Sequence, residues 1–235
     1  AGDTEIRAKR FVVATGSSAA VPPIPGLDGV DFLTNESVFD RDSLPDHLIV
    51  IGGGPIGVEM AQAHAQLGCK VTLLEMFSIM ANDDGDLVDV VRRALVAGGI
   101  DIREGIKIAG VEKTDTGVAV TIDDGGESQR IEGSHLLVAA GRRANVAGLD
   151  LEKAGIDHTP KGITVDARLR STNKKVFAIG DVAGGLQFTH VAGYHAGVVI
   201  KNALFRIPAK ADHSVVPWVT YTAPELAQVG LTEQK

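Results

Sequence analysis

Apolar positions in this chain come mostly as short runs that stop at glycine. The first, Phe11-Val-Val-Ala14 before Thr15-Gly16, predicts a buried strand followed by a sharp turn. Residues 17–45 carry Pro22, Pro23, Pro25, Gly26 and Gly29 and predict a loop-rich linker with at most a short helix near Ser37. From His47 the pattern becomes a strand over 48–51, a glycine turn, a helix over about 55–67 and a strand over 70–75, which is a βαβ unit. A helix over about 85–97 follows, opened by Asp83-Asp84, whose carboxylates suit a helix N-terminus, and then a strand over 101–103. The period then changes to two at Val118, Val120 and Ile122, and Asp123-Asp124-Gly125-Gly126 supplies hairpin chemistry. An antiparallel insertion is expected before the apolar run Leu136–Ala140. After Gly141 comes a second loop-rich stretch, then a strand over 176–179, a Gly180-Asp181 turn and a helix over about 191–205. The residues from Ser214 onward are β-prone and show no helical period.

Composition narrows the class. The chain has 235 residues, 44% of them hydrophobic and 23% charged, which is globular rather than disordered. Its formal net charge of -7 and its 4% aromatic content argue against nucleic acid or an anionic membrane surface as partner. No apolar run approaches the ~18 residues of a membrane span, and the first ten residues do not read as a signal peptide. A single cysteine, Cys69, excludes a disulfide framework or multi-thiolate metal site built from this chain alone, and reads as a buried structural thiol. His190 and His195 are five apart, about 140° around a helix, so they do not form a metal pair on one face. No metal site is expected. The 28 glycines follow no repeat, so they must serve particular turns.

The sharpest of these turns is Gly52-x-Gly54-x-x-Gly57, directly after an apolar strand and directly before a helical pattern. The first glycine permits the tight turn, the second lets a pyrophosphate approach the backbone, and the third lets helix and strand pack closely. Pro55 and Ile56 then lie in the helix N-terminus that faces the phosphates. Glu75 ends the next strand, close to the ~20-residue spacing at which an acid accepts from the ribose 2′-OH. A carboxylate there, with Met76-Phe77 and no arginine beside it, favours NAD over NADP. These features predict an α/β fold in which a Rossmann-type domain with a parallel sheet and an antiparallel β insertion binds NAD.

Five motifs occur in order: VVATGS, VIGGGPIGVEMA, VAAGRRAN, VFAIGDVAGG and FTHVAGYHAG. Together they resemble the FAD- and NAD-dependent pyridine nucleotide-disulfide oxidoreductases, a family that includes dihydrolipoamide dehydrogenase, glutathione reductase and mercuric reductase. The resemblance implies that partial FAD-binding domain segments flank the NAD domain. It divides the chain at 1–44 (end of a first flavin-domain segment and linker), 45–145 (NAD domain), 146–209 (second flavin-domain segment) and 210–235 (start of an interface domain). It implies that Gly52, Gly54, Pro55, Ile56 and Gly57 hold the NADH pyrophosphate, Glu75 the adenosine ribose, and that Gly141 lines the dinucleotide cleft. Thr15 and Gly16 would border FAD, Gly180 and Asp181 would hold its ribityl chain, and the backbone at His190, Val191 and Ala192 would sit beside the flavin ring. Glu59 matches the family glutamate near the nicotinamide, which pairs with a lysine not present here, and is the catalytic candidate.

Departures from the family pattern shape the expectation. The family's first GxGxxG turn and its Cys-x4-Cys redox pair do not occur, and the His-Glu pair of the interface domain is also absent. The family tyrosine that covers the nicotinamide pocket in glutathione reductase corresponds to Pro55. The chain therefore reads as an internal fragment of a longer cytoplasmic, homodimeric enzyme acting on a small-molecule disulfide or related acceptor. As it stands it is expected to be inactive and to retain little FAD. Two alternatives stay open: a non-catalytic NAD-binding module, and a flavin NADH oxidase type relative without redox cysteines.

Overall fold

The computed structural model describes residues 5–232. In chain order its strands and helices are β1 (Phe11–Val13), β2 (Ser17–Ala19), β3 (His47–Ile51), α1 (Pro55–Gln66), β4 (Lys70–Leu74), α2 (Gly85–Ala97), β5 (Asp101–Arg103), β6 (Lys107–Thr114), β7 (Gly117–Asp124), β8 (Glu127–Gly133) and β9 (His135–Val138). They continue with β10 (Arg142–Ala144), β11 (His158–Thr159), β12 (Gly162–Ile163), β13 (Val176–Ala178), α3 (Thr189–Ala203), β14 (Trp218–Thr220) and β15 (Leu226–Gln228). Among the described residues the contacts give two compact units, one comprising Ala19–Gly141 and Val219–Gln228, the other residues 5–18, Arg142–Trp218 and Val229–Leu231.

The first unit is built on a four-stranded parallel sheet of order β5-β4-β3-β9. Strand residues alternate faces, and here both faces are covered, which is why Leu48–Ile51 and Leu136–Val138 read as continuous apolar runs. Leu48, Val50, Val71, Leu73 and Leu137 pack with Val58 and Ala61 of α1 and Val88, Val91 and Leu95 of α2. Ile49, Ile51, Leu74, Leu136 and Val138 pack instead against Val118, Val120 and Ile122 of the antiparallel β6-β7-β8 sheet. The alternation at 118–122 thus marks the apolar face of the insertion, as the pattern predicts. The hairpin between β7 and β8 turns at Gly125 and Gly126, which have φ of 65° and 100°. Asp84 caps α2 by accepting from Asp86 N, so Asp83-Asp84-Gly85-Asp86 opens a helix as expected. Cys69 is buried, its thiol donates to the Lys70 carbonyl, and burial raises its pKa. The stretch 17–45 is mostly irregular, yet more than a linker: Leu27 and Val38 enter the two cores, and Leu33 N donates to Leu136 O.

In the second unit β1 pairs in parallel with β13. One expectation fails here, for β1 is not buried: Phe11 is 43% and Val12 48% exposed. Only Val13 reaches the core of Ala144, Leu151, Ile163, Val176, Ala178 and Val182, because among the described residues β1 has a partner strand on one side alone. The loop-rich stretch after Gly141 holds β10, β11 and β12 and a 3-10 turn at Leu151–Ala154, elements of two to four residues that carry too few positions for a period. Helix α3 begins two residues earlier than expected and packs Val198 and Val199 against Leu169 and Phe177.

Candidate functional site

The glycine turn of the first unit is assembled by β3, α1 and the end of β4. Gly52 has φ of 109°, a left-handed conformation that a side chain would strain, and its N–H donates to Leu74 O at 2.9 Å. A Cβ on Gly57 would overlap the carbonyl oxygen of Gly52, so this glycine is what allows α1 to sit on the turn. Gly54 differs: its φ of -71° and ψ of 179° suit any residue, and a Cβ there would meet nothing within 4 Å. That is open space in front of the backbone, at the N-cap of α1, which has no side-chain cap. Pro55 occupies the first helical turn, where its missing N–H costs nothing, and the N–H groups of Ile56 and Gly57 belong to that same turn, which the helix leaves without internal acceptors. An anionic group at this face would meet free donors and the positive end of the helix dipole.

Glu75 is half-buried and closes the site from β4. Its Oε2 accepts from Gly53 N at 2.6 Å and its Oε1 from Phe77 N at 2.9 Å. The carboxylate therefore holds the turn, and each oxygen keeps a second lone pair for a ligand hydroxyl. The loop after β4 is tied down as well, since Met80 N donates to Gly53 O and Ile79 N to Glu104 Oε1. Burial raises the Glu104 carboxyl, but the hydrogen bonds from Arg92 and Ile79 outweigh it and hold the group below its ordinary value. Gly141 lies two residues beyond Ala139, whose carbonyl borders Gly52, and has φ of 114° with open space at its Cβ position. Glu59 does not stand in solvent: its Oε1 accepts from Tyr221 N at 2.8 Å, and one turn on Gln62 both donates to Ala223 O and accepts from Ala223 N. Pro55, Ile56, Gly57 and Glu75 thus converge on one turn with Gly52 and Gly54, while Glu59 faces the 219–228 segment. The geometry fits a dinucleotide pyrophosphate at Gly54 with a ribose at Glu75.

The second unit brings together the other set. Gly180 is buried with φ of 66°, and a Cβ on it would come within 3.0 Å of the Ala192 methyl, so the first turn of α3 lies directly against the Gly180-Asp181 turn. Asp181 Oδ2 accepts from Ser17 Oγ at 2.5 Å, and Arg142 donates to Ser17 Oγ at 2.6 Å and Ser17 O at 2.7 Å. Thr15 Oγ1 donates to Asn145 O, and Asn145 Nδ2 returns a bond to Thr15 O. Gly16, with φ of 68°, leaves open space at its Cβ position. His190 stacks on Phe188 and bonds Pro217 O at 2.8 Å, Val191 is buried, and α3 has no side-chain cap at Phe188, which leaves its first N–H groups open. Ser17 and Arg142, which orient the Asp181 carboxylate, escaped the sequence reading. Their one signal is that each directly follows a motif glycine, Gly16 or Gly141.

Comparison with known proteins places the chain among its relatives. Residues 1–196 match the family model described as pyridine nucleotide-disulphide oxidoreductase. The chain is 38% identical over 233 residues to a mercuric reductase of Bacillus cereus, covering 98% of this chain and 37% of that protein. It is 39% identical over 239 residues to a dihydrolipoyl dehydrogenase of Thermus scotoductus, covering 97% of this chain and 50% of that protein. The solved structure of the HOCl-induced flavoprotein disulfide reductase RclA from Escherichia coli superposes with a TM-score of 0.90 at 32% identity, over 99% of this chain and 54% of that one. The chain spans about half the length, or less, of the curated relatives it matches. Among the described residues no helix is long and apolar enough to cross a membrane. With its glycine turn, its Gly180-Asp181 turn and a family match over most of its length, the chain belongs to the pyridine nucleotide-disulphide oxidoreductase family.

Proposed function

We propose that this chain supplies the NADH-binding part, and a portion of the FAD-binding part, of an oxidoreductase that moves hydride between NADH and FAD and passes the electrons to a disulfide or related acceptor. The observation that carries this reading is the turn at Gly52–Gly57, open at Gly54 and braced by Glu75. When bound, the two cofactors supply the hydride chemistry; the protein supplies positions and fields. The Gly54 backbone and the first turn of α1 receive the pyrophosphate. Glu75 accepts from the adenosine ribose and repels a 2′-phosphate. Asp181, oriented by Ser17 and Arg142, accepts from the ribityl hydroxyls, and the N-terminus of α3 at His190–Ala192 offers the open N–H groups of its first residues, His190 and Val191 among them, and a positive field to the flavin ring edge. Gly141 borders the dinucleotide cleft, and Glu59 serves near the nicotinamide. In this assignment residues 45–145 form the NAD domain and 146–209 belong to the flavin domain. Cys69 takes no part, because a redox disulfide needs a second sulfur and this one is buried with a raised pKa.

Titration calorimetry with both pyridine nucleotides tests the reading. A carboxylate and a 2′-phosphate at partly desolvated distance cost at least ~1 kcal/mol, so NADH should bind several-fold more tightly than NADPH, and Glu75→Gln should narrow the gap. Equal or tighter binding of NADPH by the unaltered chain would sink the assignment of Glu75.

A further inference from the structure

A buried histidine beside the Gly180-Asp181 turn has no part in the reading above. His195, on α3, is 2% exposed, and its two ring nitrogens face different partners. Gly180 N donates to Nδ1 at 3.2 Å, and Nε2 lies 2.7 Å from Nε2 of His213. A backbone N–H can only donate, so Nδ1 must present its lone pair. In the neutral ring the proton is then on Nε2, where it is donated to His213. His213 Nε2 must in turn be unprotonated, which puts its own proton on Nδ1. The Gly180 N–H on one side and the His213 acceptor on the other thus select the same His195 tautomer together. The same logic leaves no pair of converging lone pairs for a metal, and a 2.7 Å separation is too short to admit two metal–nitrogen bonds of about 2.0–2.1 Å in tetrahedral geometry.

We propose that His195 is a positioning residue: it holds the Gly180 N–H, and through it the orientation in which Asp181 is presented to the flavin, while His213 keeps His195 in the one tautomer that can do so. The inference rests on the reading that Asp181 receives the ribityl chain. The turn needs such an anchor. Gly180 is buried in a left-handed conformation at the start of a 3-10 turn, where its N–H has no helical acceptor. The surroundings leave no room for a second proton on His195, because on Nδ1 it would face the Gly180 N–H. The other titratable groups nearby are Tyr194, whose ring lies edge-on to His213 and whose hydroxyl accepts from Asp212 N, Asp212, which accepts from Ser214, and Asp181 on the turn itself. Burial first, and His213 second, push the His195 imidazole below its ordinary pKa, in keeping with a neutral ring.

Two substitutions separate the two bonds. In Asn the Oδ1 stands where Nδ1 stands in His, so His195→Asn keeps an acceptor for Gly180 and gives up His213. In Gln the amide reaches toward the place of Nε2, so His195→Gln keeps the contact with His213 and gives up Gly180. Imidazole nitrogen shifts in the 15N-labelled chain report the tautomer directly, amide exchange reports the hold on Gly180, and FAD titration followed at the Asp181 amide reports the ligand. We expect unprotonated Nδ1 and protonated Nε2 at His195 in the unaltered chain. Gly180 protection should survive within about threefold in His195→Asn and fall about tenfold or more in His195→Gln, with FAD affinity following the same order. A proton on Nδ1, or equal Gly180 protection in His195→Gln and the unaltered chain, would overturn the proposal. Should His195→Gln not fold, His213→Leu at the exposed end takes its place, with loss of the single His195 tautomer expected and an unchanged His195 spectrum counting against the inference. Gly180 protection that follows the expected order while FAD in large excess, enough to load a chain that retains little of it, leaves Asp181 unperturbed would refute the flavin reading and leave the positioning role standing.

Discussion

Three glycines of one motif do three separable things at the residue level. Gly52 provides a left-handed turn, Gly57 a close approach of helix to strand, and Gly54 an open backbone face. Gly57→Ala should therefore cost about 3 kcal/mol or more in urea unfolding, because the new methyl overlaps a backbone carbonyl that cannot move without dragging the turn. Gly54→Ala should leave the unfolding midpoint within about 0.5 kcal/mol and still weaken NADH about tenfold in calorimetry, its methyl standing where the pyrophosphate must come. Equal effects of both substitutions on stability would mean that the open face at Gly54 is not real. Glu75 belongs to the same group of residues: its side chain serves the fold through Gly53 N and Phe77 N before it serves any ligand.

Elements are joined in this chain by a few charged or amide side chains that cap backbone groups. Glu104, just past β5, receives Arg92 of α2 through Nε at 2.8 Å and Nη2 at 3.0 Å, and also the N–H of Ile79. Glu104→Ala would leave Nε and Nη2 of Arg92 and the buried Ile79 N–H without their acceptor, while Nη1 keeps Asp89. We expect a loss of about 2 kcal/mol in denaturant unfolding, and a smaller one for Glu104→Gln, which keeps an acceptor for Ile79. The 219–228 segment is joined to α1 in a similar way, by Glu59 and Gln62 through the backbone of Tyr221 and Ala223, with Leu226 3% exposed in the helix-side core. Leu226→Ala should cost about 3 kcal/mol, read from the same unfolding curves, through lost burial and the cavity it leaves.

At the scale of the whole molecule, protonation provides a common measurement. His47, His135 and His195 are each held below the ordinary imidazole value, in every case first by burial, with Lys70, Arg41 and His213 respectively adding repulsion. Their folded pKa values lie below the unfolded ones, so the unfolded chain takes up protons first. The stability contribution is full above about pH 6.5 and is lost as pH falls below it toward the folded values. Thermal or urea midpoints should therefore decrease steadily from pH 7.5 to pH 5.5, before the lowered carboxyls of Glu104 and Asp166 come into play at lower pH. A midpoint that is flat or rises over that interval would contradict the burial of these rings.

Local pattern and tertiary structure divided the work along physical lines. Periodicity and turn chemistry determined what depends on neighbours in sequence: the βαβ unit, the opening of α2 at Asp84, the hairpin at Gly125-Gly126 and the glycine turn. The same strings identify the family, and within them Gly52 and Gly57 answer backbone demands that only glycine meets. What depends on distant partners was not legible. The exposure of β1 follows from how many strands flank it, and three apolar residues read the same with one neighbour or two. Ser17 lies 164 residues from Asp181, which it orients, and 125 from Arg142, which braces it, and neither has a local reason to do so. His190 and His195 share no face of α3, so the helix alone makes no pair of them. The ring that His195 meets through Nε2, His213, comes from beyond the helix, and only the folded chain brings the two together.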